Sequence, residues 1–198
     1  MHPVLQEVYQ AYREPLSGKS AEWCQRHPGQ DERRWSAQDL IQHLVLVCRS
    51  TSRLLETRLQ RGKPAHGHGS MVQRLLQVVV LVFGHMPHGA PAPPFARPGQ
   101  LHWPAMNGDE LLEILRQEMD QMDQLLDSCR KRFGIQRAAT HFLLGPMRVD
   151  QWRRFHAVHT RHHLEQMQGI EKSVGPAEAT VVAELQPHAV PRGVNTST

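Results

Sequence analysis

The chain has 198 residues, of which 39% are hydrophobic and 21% charged, the size and balance of one domain with a single sizeable core. Its net charge of +4 is carried mostly by arginine without a dense Lys/Arg run, so a solvated basic surface outweighs nucleic-acid binding. Three scattered cysteines without a C-x-x-C speak against a disulfide framework and for a reducing compartment.

The N-terminal stretch "MHPVLQEVYQAYRE" lacks the basic and apolar regions of a signal peptide, and residues 3–14 suit a first helix ending near Pro15 and Gly18. A polar segment follows. "WSAQDLIQHLVLVCRSTSRLLETRLQRG" then predicts a long second helix, with Ser36 as N-cap, Asp39 completing an acidic capping box, and Gly62 and Pro64 as the stop. Its apolar face carries Leu40, Leu44, Val47, Thr51, Leu54 and Leu55 at helical spacing.

Residues 70–84 are valine-rich but have no partner strand, so they are expected to form a short buried helix. The apolar run at 75–83 is too short to span a bilayer, and no membrane association and a cytoplasmic location are expected. Residues 86–108 are rich in proline and glycine and form a long loop, of a kind that often covers a site. A third long helix starts at Gly108 with Asp109 and Glu110 in its first turn. Leu111, Leu112, Leu115, Met119, Met122, Leu125, Leu126 and Cys129 form its core stripe. A fourth helix spans about residues 148–170, with Asp150 in its first turn. No sheet is expected, and residues 171–198 read as an irregular tail. The fold class is therefore all-α, an antiparallel four-helix bundle over residues 1–170 with a Pro-rich loop and a short extra helix.

The fourth helix carries "QWRRFHAVHTRHHLEQM". With 14 histidines in the chain, roughly one H-x-x-x-H pair arises by chance, so spacing alone says little. Placement says more. At 100° per residue, His159 and His163 straddle the centre of the apolar face, about 20° to either side of Trp152. His156 lies on the buried side, His162 on the flank, and Gln166 close enough to the same face to reach a cavity. Core histidines satisfied by hydrogen bonds are the bland alternative. For two inward imidazoles one turn apart, a shared metal ion satisfies both. His43, on the edge of the second helix's apolar stripe, is the leading third ligand, and His141 a weaker one. Three neutral imidazoles leave a fourth position open, as in catalytic metal sites. Asp39 could orient His43, although a helix-start acid is the commoner role. Trp35 and Trp152 read as packing residues.

"WSAQDLIQHL" on the second helix with "HTRHHLEQM" on the last resembles the DinB-like superfamily of metal-binding four-helix bundles. The "LLGPMRVDQWRRFHAVH" lead-in and the Pro-rich middle loop belong to the same likeness, which covers most of residues 1–170 as an order of elements. The resemblance implies a metal triad at His43, His159 and His163, and a divalent cofactor, Zn²⁺ or Ni²⁺. It further implies a metal-dependent transferase or hydrolase in which a low-molecular-weight thiol or water is activated. The short segment between the first two helices and the additional histidines depart from the family pattern, and no thiol-binding residue carries over. The alternative is a non-catalytic helical module for dimerisation or binding, its histidines filling a polar core; a homodimer fits that reading.

Overall fold

The structure is a computed structural model and describes residues 1–87 and 91–175. Two short helices, α1 (Pro3–Gln10) and α2 (Arg13–Leu16), replace the single predicted first helix. Pro15 has no N–H to offer the carbonyl of Ala11, so the helix breaks there. Tyr12, at the break, is fully buried and donates its hydroxyl to the Thr160 carbonyl at 2.8 Å. The polar segment that follows holds a short helix, α3 (Ala21–Gln25), capped by Ser20 and anchored by buried Trp23 and Cys24, and then a 3-10 turn at Pro28–Gln30.

The central helix is α4 (Ala37–Arg61). Ser36 Oγ accepts the Asp39 amide at 3.2 Å, and the Asp39 carboxylate accepts the Ser36 amide at 3.0 Å, closing the expected capping box. Gly62 ends the helix at φ 64°, a left-handed geometry that glycine adopts without strain. The helix is covered on more than its predicted stripe, since Ile41, Val45 and Cys48 are buried beside Leu40 and Leu44.

Residues 70–84 are helical, but not buried. They form α5 (Met71–Gln77), continued by a π-helical turn at Val78–Val82. Met71 is 85% exposed and Phe83 75%, and Val80 is the one buried residue of the π turn. Apolar residues alone do not bury a helix: among the described residues, nothing packs over its outer face.

Next comes α6 (Gly108–Phe133), whose stripe is buried as expected except for half-buried Leu125. The expectation of no sheet is corrected by an antiparallel hairpin, β1 (Ala139–His141) with β2 (Gly145–Met147). Gly145, at φ 72°, makes its tight turn possible. The last helix, α7 (Val149–Val174), runs a few residues beyond the predicted end. The rest of the expected tail, residues 176–198, lies outside the described residues, as does His88.

The chain is thus mostly helical, with only this small sheet. One buried cluster joins Leu5 and Val8 of α1, Leu44 of α4, Leu115 and Met119 of α6, and Met167 of α7. A second joins Leu55, Leu126, Phe133, Met147, Trp152 and Phe155. His43 meets His159 while Thr51 meets His156, so α4 and α7 run in opposite directions along a shared seam. No described helix is long and apolar enough to cross a membrane.

Candidate metal centre

Two turns into α4, the His43 ring faces α7. The Pro-rich loop is drawn over this part of the helix. Gln38 donates to the Pro104 carbonyl and accepts the Met106 amide, both at 2.9 Å, and Gln42 accepts the Gly99 amide. The same loop presents the Ala96 carbonyl 2.7 Å from His43 Nδ1. A carbonyl only accepts, so Nδ1 carries the proton and donates it, leaving the His43 Nε2 lone pair aimed inward.

On α7, His163 Nδ1 donates to Gln166 Oε1 at 2.8 Å, which likewise leaves a lone pair on Nε2. His159 lies between them, its Nε2 3.4 Å from His43 Nε2 and 3.3 Å from His163 Nε2. All three rings are buried, and the three nitrogens lie within 4.8 Å of one another. Burial and the neighbouring imidazoles hold His159 well below the usual histidine range; burial first, then His43, pushes His163 down to about 3; burial lowers His43 too. The triad is neutral at pH 7.

This arrangement is frustrated without a cation. If His159 Nε2 carries a proton, it can satisfy one neighbour and not the other. If Nδ1 carries it, three lone pairs converge, and His159 Nδ1 is a buried nitrogen with no hydrogen-bond partner. The donor set fits a divalent ion. Two imidazole nitrogens bound tetrahedrally to zinc at about 2.0–2.1 Å stand roughly 3.3 Å apart, the spacing seen on both sides of His159.

The structure brings His43, His159 and His163 together and leaves the weaker candidate, His141, out. His141 Nδ1 accepts the amides of Leu143 and Leu144 at 3.2 and 3.1 Å, so it fastens the hairpin turn. His156 has a partner that the sequence did not disclose: its Nε2 lies 3.1 Å from Thr51 Oγ1. His162 stays on the flank, its ring 5.1 Å from that of His163. Asp39 serves the cap and not His43. Gln166 does reach the site. Trp35 does more than pack at the start of a helix, its ring centroid lying 5.0 Å from His43 and 6.2 Å from His163. That stacking had no signal beyond an aromatic residue just ahead of the N-cap.

Gln166 fixes the His163 tautomer from an exposed position, so it can be changed without disturbing the core. Gln166→Leu is expected to weaken zinc binding about 10- to 100-fold with thermal stability of the metal-free protein unchanged, as read by chelator competition and melting curves.

His141 and His156, outside the triad, give the fold a pH dependence. Burial pushes His141 down to about 4, and burial together with His141 pushes His156 down to about 3. Both values lie below the ordinary 6.5, so the unfolded chain takes up these protons first. Their contribution is intact above pH 6.5 and is lost as pH falls toward 4 and 3 respectively, at about 1.4 kcal/mol per pH unit for each group. In metal-free protein, denaturant melts between pH 7 and pH 5 are expected to show this decline. His156→Gln, which can still bond Thr51, should remove about one proton from the slope; an unaltered slope would contradict the assignment.

A mostly helical chain in which two helices converge three buried imidazoles on one point defines a class, helical proteins with a histidine-triad centre suited to a divalent ion. The chain belongs to the DinB superfamily, whose family model matches residues 5–167. No curated protein and no solved structure matches it.

Proposed function

We propose that the protein is a metal-dependent enzyme of the transferase or hydrolase type, with His43, His159 and His163 as ligands of Zn²⁺ or Ni²⁺. The observation that carries this reading is the convergence of three neutral Nε2 atoms, two of them with tautomers set by acceptors at Nδ1. Membership of the DinB superfamily supports it, as does the expected four-helix bundle, for which α1, α4, α6 and α7 supply the helices.

A divalent ion held there would lower the pKa of a bound thiol or water and so supply a nucleophile at neutral pH. The chain's own residues do the rest. His43 and His163 are oriented by Ala96 and Gln166, and the Pro-rich loop shields the triad from bulk water on the α4 side. A nucleophilic thiol has to come from outside. Cys24, Cys48 and Cys129 are all buried, and burial pushes their pKa values up to about 12, 12 and 11, which keeps them protonated.

Cobalt(II) substitution tests the reading and separates thiol from water. Adding a low-molecular-weight thiol to the cobalt protein should produce a sulfur-to-metal charge-transfer band in the near ultraviolet. Cobalt bound without such a band would leave water as the nucleophile. No cobalt spectrum at all would contradict the metal centre.

A further inference from the structure

The triad opens on a cleft of about 1190 Å³, above the roughly 300–1,000 Å³ usual for small-molecule sites. A water molecule or a small thiol would leave most of it empty. Among the described residues no Asp or Glu lines the cleft, whereas Arg33, Arg34 and Arg53 do. Arg33 is engaged by Asp31 at 2.9 Å. Arg53 is exposed at the rim and makes no ion pair among the described residues.

Arg53 shares α4 with His43, ten residues further on, which sets it about 15 Å from the triad along the helix axis. The wall beside them carries apolar Val47 and Leu54 of α4 and Phe155 of α7, with Thr51 of α4 among them. Across the cleft, Phe95 of the Pro-rich loop and Phe142 of the hairpin meet edge to face at 5.9 Å. Both are about half exposed, at 45% and 56%, so this aromatic pair offers apolar surface to a ligand. Ser50, which also lines the cleft, adds a hydroxyl one turn before Arg53.

We propose that the cleft takes an amphipathic carboxylate, with its acid group on Arg53 and its apolar body along the aromatic wall toward the triad. The identity of the reacting end rests on the metal-centre reading; the grip of Arg53 on the acid does not. An unopposed guanidinium at the end of an apolar trough discriminates by charge, because it gains a charge-assisted bond with a carboxylate and nothing comparable with an alcohol.

Calorimetric titration with dodecanoate and dodecanol, below their aggregation limits, tests this on zinc-loaded and metal-stripped full-length protein. Dodecanoate is expected to bind both forms at least about tenfold more tightly than dodecanol. Arg53→Gln, at an exposed position, should erase that preference while leaving zinc content unchanged. Equal binding of acid and alcohol would overturn the proposal. So would acid binding that needs zinc and ignores Arg53→Gln, because the carboxylate would then sit on the metal. Failure to hold zinc with the Arg53-dependent preference intact would overturn the metal centre alone.

Discussion

His159→Ala is expected to lower zinc affinity by two to three orders of magnitude. Apparent zinc-binding energies of about 10–16 kcal/mol for four-ligand structural sites assign each ligand about 2.5–4 kcal/mol, and His159 is the ligand that both others face. Competition with a chromophoric chelator reads the change directly. Thermal melts read it a second way: zinc at about a thousandfold above the wild-type dissociation constant should stabilise the wild type by about 4 kcal/mol and the variant by only about 0.4–1.4 kcal/mol. His66→Ala, an exposed histidine elsewhere, should leave the affinity unaltered. The effect in metal-free protein should be small or favourable, because the substitution removes a buried nitrogen with no hydrogen-bond partner. A variant that loses fold stability without losing zinc affinity would favour the non-catalytic module with polar core histidines.

The second large effect is structural. Arg153 of α7 is buried and donates to Asp123 of α6 at 2.7 Å and to Asp127 at 2.6 Å. Asp123 is buried as well, and its other oxygen accepts the His2 amide at 2.6 Å. This network fastens the N-terminus, α6 and α7 to one another. Arg153→Met keeps the aliphatic stem but leaves the Asp123 carboxylate buried without its cation, and should cost about 3–5 kcal/mol. For a chain of this size that is a fall in melting temperature of roughly 6–20 °C. The double variant Arg153→Met with Asp123→Leu should recover part of it, because removing both charges avoids the unpaired one. A single variant within about 1 kcal/mol of wild type would show that water reaches Asp123 and that the pair is worth no more than a surface bridge.

The long helices and the triad were legible because they rest on local rules. Ser36 and Asp39 announce a helix start by side chains that bond their own backbone, and Gly62 announces its end by left-handed geometry. His159 and His163 declared themselves by angle, since a helix fixes which residues share a face. Gln166 was visible for the same reason.

What stayed hidden depends on contacts distant in sequence. The acceptor for His43 is the main-chain carbonyl of Ala96, and a carbonyl leaves no mark in the sequence. The hairpin at 139–147 has strands of three residues each, too short to show a period of two. His141, weighed as a ligand, proved to be an acceptor for two backbone amides in that hairpin. Apolar composition suggested that α5 was buried, yet Met71, Val72 and Leu75 are largely exposed, because burial needs a covering neighbour as well as a greasy helix. The break at Ala11 is readable in principle from Pro15, but a proline at that place equally marks the end of a single helix.

The most direct measurement is the metal content of untagged protein after exposure to Zn²⁺ or Ni²⁺ and exhaustive dialysis. About one equivalent per chain is expected, lost in the single variants His43→Ala, His159→Ala and His163→Ala. Less than about 0.2 equivalents in the wild type, or full occupancy in the variant lacking all three histidines, would contradict a metal centre at this triad.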